Sequence, residues 1–434
     1  MIANIDTSLP PFASKPGEYC LQLRSKGLPP STVVKFEMIA APAEQGESRD
    51  NTALPPQLGD QVVKEAPVVR DAVTLRNSMT TDDWAREGLA VAAKRRLIVD
   101  RHSPWQMTLA VMGLGTSAEL LQPGADPREI RALDWLLSGP TFRGEPVWQR
   151  TDFGAQGHPY STPYVFQGHP AQFLACLAAA GVTRNTPLHA MGVNGARQAL
   201  TVSDVVADAK QQIHQKEEHG WTLWALATYE PVDAAWTNRL GEPWSLARLV
   251  DAEASANFDS APNGGCVKAL ALAVALAKYR AVDPESGAES PQPWRQVEER
   301  LSAQVAAAKS LQFPDGAIPI PLKSAAVAAA TPQDRLKGTA LQMAWLVEAV
   351  SSEQLKSGWI QRAIARIGRD LVETRQEALD VETLAYSAYV LRRYRERTGS
   401  ARRSMLSETG TARPTGLSDP YSTELLLNVG FERD

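Results

Sequence analysis

The stretch from Asn263 to Arg280 constrains the fold of this chain more than any other. Two glycines open it, and the residues that follow are apolar on nearly every side of a helix. A helix without a wide polar face must be surrounded by other helices. The glycines leave backbone N–H groups free at the positive end of the helix dipole, where Cys266 is the first side chain. We therefore expect an inner helix of a helical protein, with Cys266 at its start.

Apolar and amphipathic helices alternate along the chain from residue 80 onwards. Apolar helices are predicted at 104–112, 169–180, 220–229, 264–280 and 339–350, and a mixed one at 380–393. Amphipathic helices are predicted at 81–99, 126–137, 203–217, 245–254, 294–311 and 352–372. Two concentric layers of antiparallel helices produce this alternation, because only the outer layer faces water.

The alternation predicts an all-α fold. We expect an α/α toroid, a closed barrel of about ten to twelve antiparallel helices in two layers. An α-solenoid is the alternative architecture. The spacing between helix pairs is irregular and shows no repeated consensus, which argues against an open solenoid of the armadillo kind.

Composition divides the chain into three parts. Residues 1–80 are rich in Pro, Ser, Glu and Gln, and we expect an irregular, partly extended N-terminal segment there, with extended pieces such as Thr32–Phe36. Residues 81–397 form the predicted toroid domain. Residues 398–434 read as a polar C-terminal tail with a short closing helix near Ser422–Leu427.

Charge and cysteine usage limit the classes of partner. The formal net charge is −4 and the pI is about 6.0. A nucleic-acid-binding protein usually has a basic surface, so we expect no nucleic acid as a partner. A small molecule or a protein is the expected partner. Three scattered cysteines favour free thiols in a reducing compartment. No signal peptide or membrane-spanning run is visible, so a cytoplasmic location is expected unless a leader has been removed.

In a toroid, the loops before the inner helices meet at one end of the central cavity. The candidate polar residues at those positions are His102, His169, Glu218, Cys266 and Asp315. The candidate aromatic lining consists of Trp221, Trp224, Trp345, Tyr386 and Tyr389. Such a set can supply an acid, a base and a nucleophile, or ring faces that attract an isoprenoid or a cation. Core packing explains the aromatic residues equally well.

Two interpretations of Cys266 and His169 stay open at this point. In a catalytic interpretation, Cys266 is a nucleophile or zinc ligand, His169 is a base and Glu218 assists. In a structural interpretation, Cys266 is a small core residue and His169 bonds to backbone at a helix start. No local pair of metal ligands is present, so we predict no metal site, and the sequence assigns no cofactor.

Five short motifs support a family resemblance. They are His102-Ser-Pro-Trp-Gln106, Gly168-His-Pro-Ala-Gln-Phe-Leu174, Trp221-Thr-Leu-Trp-Ala-Leu226, Asn263-Gly-Gly-Cys266 and Gln312-Phe-Pro-Asp-Gly316. In this order they resemble an uncharacterised family of bacterial proteins, common in planctomycetes. That family is related to the α/α-toroid superfamily of terpenoid cyclases and protein prenyltransferase β-subunits. The resemblance covers roughly residues 95–397 and implies the toroid fold, without an established activity.

The chain departs from the family pattern at the histidines. The family's Cys-Gly-Gly-Thr-His is Asn263-Gly-Gly-Cys-Val267 here, and Tyr386 and Tyr389 stand where histidines are expected. The chain also lacks the Asp-x-Asp-Asp motif of the squalene–hopene cyclases. These losses predict a degenerate toroid that binds a ligand or partner protein at its cavity without catalysis. The alternative is an enzyme acting on a small or isoprenoid-like substrate with Cys266 and His169 at the cavity mouth, with or without zinc.

Overall fold

The protein is seen here as a computed structural model. It describes residues 17–21, 34–38, 79–158, 166–192, 194–215, 218–258, 261–283, 290–320, 322 and 331–399, and for the first two ranges the backbone alone. The chain divides into two compact units, Met1–Gln57 and Leu58–Asp434. The predicted boundaries at 80 and 397 remain predictions, and the predicted tail and its closing helix lie outside the described residues.

The first unit contains one described pair of strands. Strands β1 (Gly17–Leu21) and β2 (Val34–Met38) are antiparallel, with Gly17 opposite Met38 and Leu21 opposite Val34. Strand β2 overlaps the extended piece predicted at residues 32–36.

The second unit is mostly helical, with small sheets. Its described residues contain twelve α-helices. They are α1 (Thr81–Lys94), α2 (Pro104–Leu114), α3 (Ala132–Leu137), α4 (Gln172–Ala179), α5 (Val202–Gln212), α6 (Gly220–Tyr229), α7 (Leu246–Ser255), α8 (Cys266–Val282), α9 (Trp294–Leu311), α10 (Pro332–Ala349), α11 (Gly358–Glu373) and α12 (Val381–Thr398).

The even-numbered helices are the five predicted as apolar together with the mixed helix α12, and they contact each other in a closed order. They are called the apolar helices below. Helix α2 contacts α4, α4 contacts α6, α6 contacts α8, α8 contacts α10, α10 contacts α12, and α12 contacts α2. Most residues of these six helices are buried. The odd-numbered helices lie against them, and α11 also contacts α1. The alternation of apolar and amphipathic helices in the sequence therefore corresponds to two sets of helices with different neighbours.

The C-terminal ends of four of these helices, α2, α4, α10 and α12, lie close together. Arg392, near the end of α12, donates to the carbonyl oxygens of Met112 at the end of α2 (3.0 Å) and Ala179 at the end of α4 (2.9 Å). Arg397 donates to the carbonyl oxygen of Val350, directly after α10, at 2.9 Å. Cationic side chains thus satisfy the free carbonyl groups of other helices at their negative ends.

Short strands occur in the connections between the helices, so the second unit is not purely helical as the sequence predicted. The strands of the second unit are β3 (Leu97–Ile98), β4 (Glu119–Gln122), β5 (Arg128–Arg131), β6 (Thr141–Phe142), β7 (Glu145–Pro146), β8 (Trp148–Thr151), β9 (Gly154–Gly157), β10 (Pro187–Met191), β11 (Arg197–Thr201), β12 (Ala235–Thr237) and β13 (Pro243–Ser245). They form sheets in the orders β3-β4-β5, β6-β7, β11-β10-β8-β9 and β12-β13.

A strand pair followed by a helix recurs three times. The antiparallel pairs β4–β5, β10–β11 and β12–β13 each lie after an even-numbered helix and run directly into the next odd-numbered one. The helix predicted from residue 126 therefore begins only at Ala132, because Arg128–Arg131 pairs with Glu119–Gln122. These units share a structure without sharing a consensus sequence.

Candidate functional site

His169 and Glu218 meet at the starts of neighbouring apolar helices. Nδ1 of His169 lies 2.7 Å from a carboxylate oxygen of Glu218. His169 precedes α4, where the side-chain oxygen of Gln172 accepts from the backbone N–H of Gly168 (2.6 Å) and of His169 (3.1 Å). Glu218 precedes α6 by two residues. Both side chains are partly exposed, so the pair faces solvent at this end of the helices.

The pair favours a charged carboxylate. The hydrogen bond from His169 is the largest influence on the pKa of Glu218 and lowers it, and burial acts in the opposite direction. The charge of Lys268 on α8 also lowers this pKa. With Nδ1 bonded to the carboxylate, Nε2 of His169 is the ring atom left for a ligand or a proton transfer.

A buried ion pair supports the start of α6 from the side of α7 and α8. Lys268 lies 3.0 Å from Glu253, and both side chains are largely buried. Glu253 also accepts from the backbone N–H of His219 at 3.1 Å. A carboxylate that is bonded on two sides fixes the geometry of the groups around it. Glu218 is next to His219 in the chain, so this buried ion pair fixes the backbone beside it.

A polar pocket of about 160 Å³ is lined in part by residues that follow His169 and Glu218 in the chain. Its wall is formed by Ala155, Gln156, Gly157, Gln167, Pro170, Ala171, Leu174, Val205, Asp208, Ala209, Gln212, Ile213, Thr222 and Arg239. Pro170, which follows His169, and Thr222, four residues after Glu218, belong to this wall, whereas His169 and Glu218 themselves do not. We call the pocket and the pair together the ring-end site.

Asp208 on α5 is the buried acid of the ring-end site. Its carboxylate accepts from the hydroxyl of Thr151 (2.5 Å) and the amide of Gln212 (3.3 Å). Burial raises the pKa of Asp208 above its ordinary value, and the two hydrogen bonds and the charge of Arg239 act against that rise. A buried acid in a pocket wall is an acceptor for a polar ligand.

Ala171 forms part of the pocket in a conformation that L residues avoid. Its φ is 57° and its ψ is 16°, which is the left-handed region. Such a conformation costs about 1–2 kcal/mol for a residue with a Cβ atom. Strain of this kind persists where the surroundings hold the backbone, and it is concentrated at functional sites. Here it turns the chain from His169 and Pro170 into α4.

Cys266 occupies the predicted start of α8, in buried surroundings that favour the protonated thiol. The residues before it, Asn263, Gly264 and Gly265, all have positive φ. The thiol is only 4% exposed. Burial raises the pKa of Cys266 to about 12, and a backbone hydrogen bond acts in the opposite direction. At neutral pH this thiol is protonated and therefore a poor nucleophile.

The predicted aromatic lining fills the space between the apolar helices. Trp224, Trp345, Tyr386 and Tyr389 are each at most 2% exposed. Trp224 on α6 packs edge-to-face on Tyr389 of α12, with ring centroids 6.0 Å apart, although α6 and α12 are not consecutive in the contact order. These four side chains are therefore core residues.

Tyr386 and Tyr389 are held as neutral phenols. Burial raises the pKa of Tyr386, and the neighbouring Glu382, Cys176 and Cys266 add to the rise. Burial also raises the pKa of Tyr389, whose hydroxyl donates to Glu348 at 2.7 Å.

The remaining predicted residues have local structural contacts. Trp221 stacks on Trp224 and meets Trp105 edge-to-face, with centroids 5.7 Å and 5.8 Å away. His102 is fully buried, and its Nδ1 accepts from the backbone N–H of Ile98 at 2.8 Å. Asp315 accepts from the backbone N–H of Ala317 at 3.1 Å and closes the turn there. These contacts are of the kind that stabilise loops and core, and they do not reach the His169–Glu218 pair.

The ranges that the structure describes contain neither a cluster of metal ligands nor a membrane-spanning helix. Within them, no three His, Cys, Asp or Glu side chains are grouped so that they would hold a metal ion. No helix in those ranges has the length and apolar character needed to cross a membrane.

Sequence reasoning missed Asp208 and Glu253, although a signal was present. In α5, Val202, Val205 and Asp208 follow each other at intervals of three, so the acid lies on the apolar stripe. In α7, Glu253 follows Leu249 and Val250 at intervals of four and three. An acid on the buried stripe of an amphipathic helix predicts a buried, bonded carboxylate.

Comparison with known proteins gives no assignment. No family model matches this chain, and no curated protein or solved structure is similar enough to count as a match. The site must therefore be interpreted from its own geometry.

Proposed function

We propose that this chain is a closed α/α toroid, related to the terpenoid cyclase and prenyltransferase superfamily, that binds a small polar ligand at its ring-end site without catalysis. The circular order of contacts among the six apolar helices supports the toroid. The C-terminal ends of four of them, which lie close together, support it as well, because inner helices of a toroid all run the same way. The family relationship rests on the sequence motifs.

The position of the ligand follows from how the interior is occupied. Trp224 on α6 and Tyr389 on α12 meet although their helices are not neighbours in the contact order, and Tyr386 lies close to Cys176 and Cys266. The proposal therefore places the ligand at the end of the ring where α4 and α6 begin. A volume of about 160 Å³ suits a small ligand, since typical pockets for drug-sized molecules measure roughly 300–1,000 Å³.

One observation supports the proposal most: a buried acid, Asp208, lies in the wall of a polar pocket that also contains Pro170, the residue after His169. Amide groups of Gln156, Gln167 and Gln212 line the same pocket. Few, well-placed polar groups on a partly apolar wall are the usual composition of a ligand site. A ligand that both donates and accepts hydrogen bonds matches this lining.

The alternative is a toroid enzyme in which His169 transfers a proton. It is favoured by the contact of Nδ1 with Glu218, which orients the imidazole as a carboxylate does in many general bases. The raised pKa of Cys266 counts against the form of this alternative in which Cys266 is the nucleophile or a zinc ligand. The substrate would be small or isoprenoid-like.

Ligand-observed NMR with a set of small amines, amides, carboxylic acids and polyols tests the proposal on the full chain. Thr222 lines the pocket, whereas Thr228 lies on the same helix with its side chain exposed. We expect fragments that bind the wild type to bind Thr222→Val at least about fivefold more weakly, roughly the value of one hydrogen bond. Binding to Thr228→Val should be unchanged.

Two results would count against the proposal. Fragments that bind both threonine variants equally would place the site elsewhere, and a set with no binding fragment would remove its support. A fragment that is chemically converted in the same spectra, and not converted by His169→Ala, would establish the enzyme alternative.

A further inference from the structure

Asp208 in the ring-end pocket has one carboxylate oxygen to which no described residue donates. Both of its hydrogen bonds, from the hydroxyl of Thr151 and from the amide of Gln212, are made by Oδ1. Oδ2 is therefore left to accept from a group in the pocket, although the residue is only 2% exposed. A hydrogen bond to a carboxylate is stronger in such largely buried surroundings than in water.

Two further acceptors belong to the same wall. The hydroxyl of Thr222 has no hydrogen bond to another described residue, and the amide of Gln212 uses its nitrogen for Asp208, which leaves its oxygen. The amide of Gln167, by contrast, is already bonded to backbone groups through both of its polar atoms. The wall thus offers three acceptors, one of them charged. A primary ammonium group, with three N–H donors and no acceptor, matches such a set.

Arg239 is the cationic residue of the pocket wall. Its side chain is exposed, and among the described residues no carboxylate forms an ion pair with it. It is near enough to Asp208 for its charge to lower the pKa of that acid. A guanidinium group donates two parallel hydrogen bonds to a carboxylate. Arg239 would repel a ligand with positive charge alone, and Asp208 would repel one with negative charge alone, so a ligand that carries both charges suits the pair.

The rest of the wall limits the size and the polarity of the ligand. Leu174, Val205 and Ile213 are buried apolar residues of the wall, and Ala155 and Ala209 belong to it as well. The volume is about 160 Å³, which leaves room for a small molecule only. The ligand is therefore expected to combine two opposite charges with a short apolar group.

We propose that the ring-end pocket binds a small α-amino acid, with its ammonium group on Asp208, Gln212 and Thr222 and its carboxylate on Arg239. This inference rests on the proposed function, because it names the ligand class of the same site. Binding of the zwitterion needs no bond to form or break, in keeping with a site that does not catalyse a reaction.

Four probes with the same branched skeleton test the ligand class by ligand-observed NMR on the full chain. L-Alanine carries both charges. Isopropylamine has a methyl group in place of the carboxylate, isobutyrate has one in place of the ammonium group, and lactate has a hydroxyl there. We expect L-alanine to bind at least about tenfold more tightly than each of the other three, since each of them loses a charge-assisted contact.

Arg239→Gln tests the position of the carboxylate at an exposed residue whose replacement leaves the core intact. It should weaken the binding of L-alanine at least about tenfold and leave isopropylamine bound as tightly as before. The control is Arg128→Gln, at an exposed arginine of β5 outside the pocket, which should change neither affinity.

Asp208→Asn tests the position of the ammonium group. The amide keeps an oxygen for Thr151 but loses the charge, so L-alanine and isopropylamine should both bind at least about tenfold more weakly, whereas isobutyrate should not. Circular dichroism checks that this variant folds, and Arg239→Gln keeps the inference testable if it does not.

Three results would overturn the amino acid. If isopropylamine or lactate binds as tightly as L-alanine, and Thr222→Val still weakens that binding, the ring-end site stands as a ligand site for another class. If Arg239→Gln and Arg128→Gln affect L-alanine equally, the carboxylate does not lie on Arg239. If none of the four probes binds, the amino acid is excluded, and the wider fragment set then decides separately on the proposed function.

Discussion

Glu348 is a buried acid on α10 that bonds to two residues of α12. It accepts from Arg393 at 2.6 Å and 3.0 Å and from the hydroxyl of Tyr389 at 2.7 Å. Burial would raise the pKa of Glu348, but these donors and the charge of Arg393 bring it below its ordinary value. Arg393 also pairs with Glu396, which is more exposed.

Replacing Glu348 should therefore cost far more than replacing Glu396. Glu348→Gln leaves Arg393 without its buried partner, and we expect a loss of about 3 kcal/mol in the free energy of unfolding, the lower end for a broken buried pair. For Glu396→Gln, with its exposed pair, the loss should stay below about 1 kcal/mol. Urea unfolding at pH 7 measures both, and equal losses would contradict the buried role of Glu348.

Acid should remove the contribution of Glu218. Because its pKa in the folded protein lies below the ordinary value of 4.5, the ionised group adds stability above pH 4.5 and loses it as the pH falls through the lowered pKa. The difference in unfolding free energy between the wild type and Glu218→Gln should therefore be positive at pH 6 and shrink toward zero below pH 4. A constant difference across this range would show that His169 does not hold the carboxylate.

Cys266 should behave as a buried thiol. With a pKa raised to about 12, its thiolate fraction at pH 7 is on the order of a thousandfold below that of a free cysteine. Iodoacetamide labelling read by mass spectrometry should leave Cys266 and the buried Cys176 unmodified in the folded protein, and modify both in guanidinium. Rapid labelling of Cys266 in the folded state would restore the nucleophile interpretation.

At the scale of elements, the turn before α8 shows why a glycine pair opens an apolar helix. Gly265 has a φ of 75°, and a Cβ atom there would lie 2.8 Å from the Cβ of Phe258. Gly241 has nearly the same φ, 78°, but has open space around it. A side chain would cause similar backbone strain at both positions, but only at residue 265 would it also collide with Phe258.

Replacing each of these two glycines by alanine should separate the cost of backbone strain from the cost of a steric collision. Gly241→Ala should lower the free energy of unfolding by about 1–2 kcal/mol, the cost of a left-handed L residue. Gly265→Ala should lose about 1–3 kcal/mol more, because Phe258 must move away from α8. Thermal and urea unfolding measure both variants. If their losses are equal, Phe258 does not fix the start of α8.

The sequence predicts that a helix is present more reliably than it predicts where the helix begins or which strands pair. Apolar periodicity located the even-numbered helices, but α10 begins at Pro332, ahead of the predicted Thr339, because Thr331 caps it there. The strand pairs were missed, since strands of two to five residues depend on partners that are distant in sequence. Periodicity records burial on one face and carries no information about such partners.

Part of the ring-end site could also be predicted. His169 and Glu218 were placed together because both precede apolar helices, and the structure puts them 2.7 Å apart. Asp208 was missed because it lies in the middle of an amphipathic helix, away from any helix start. The protonation state of the Cys266 thiol could not be predicted from the sequence. It depends on burial by residues that are distant in the chain, and Tyr386 is one of its neighbours.

At the scale of the whole second unit, the proposed function and the site depend on closure of the ring. Helix α12, near the end of the described chain, contacts α2 near its beginning. A Cβ atom on Gly113 of α2 would lie 2.6 Å from the carbonyl oxygen of Ala385 on α12. Gly338 on α10 is also a helical glycine, but its nearest neighbour, the carbonyl oxygen of Ile318, is 3.4 Å away. The close approach of α2 and α12 therefore requires a glycine at position 113. At position 338 a side chain would fit with little displacement of its neighbours.

Hydrogen exchange of Gly113→Ala against Gly338→Ala tests the closed ring most directly. The account predicts that Gly113→Ala speeds amide exchange in α2 and equally in α12, almost three hundred residues away in sequence, while Gly338→Ala leaves both helices protected. Faster exchange confined to α2, with α12 still fully protected, would contradict the closed ring.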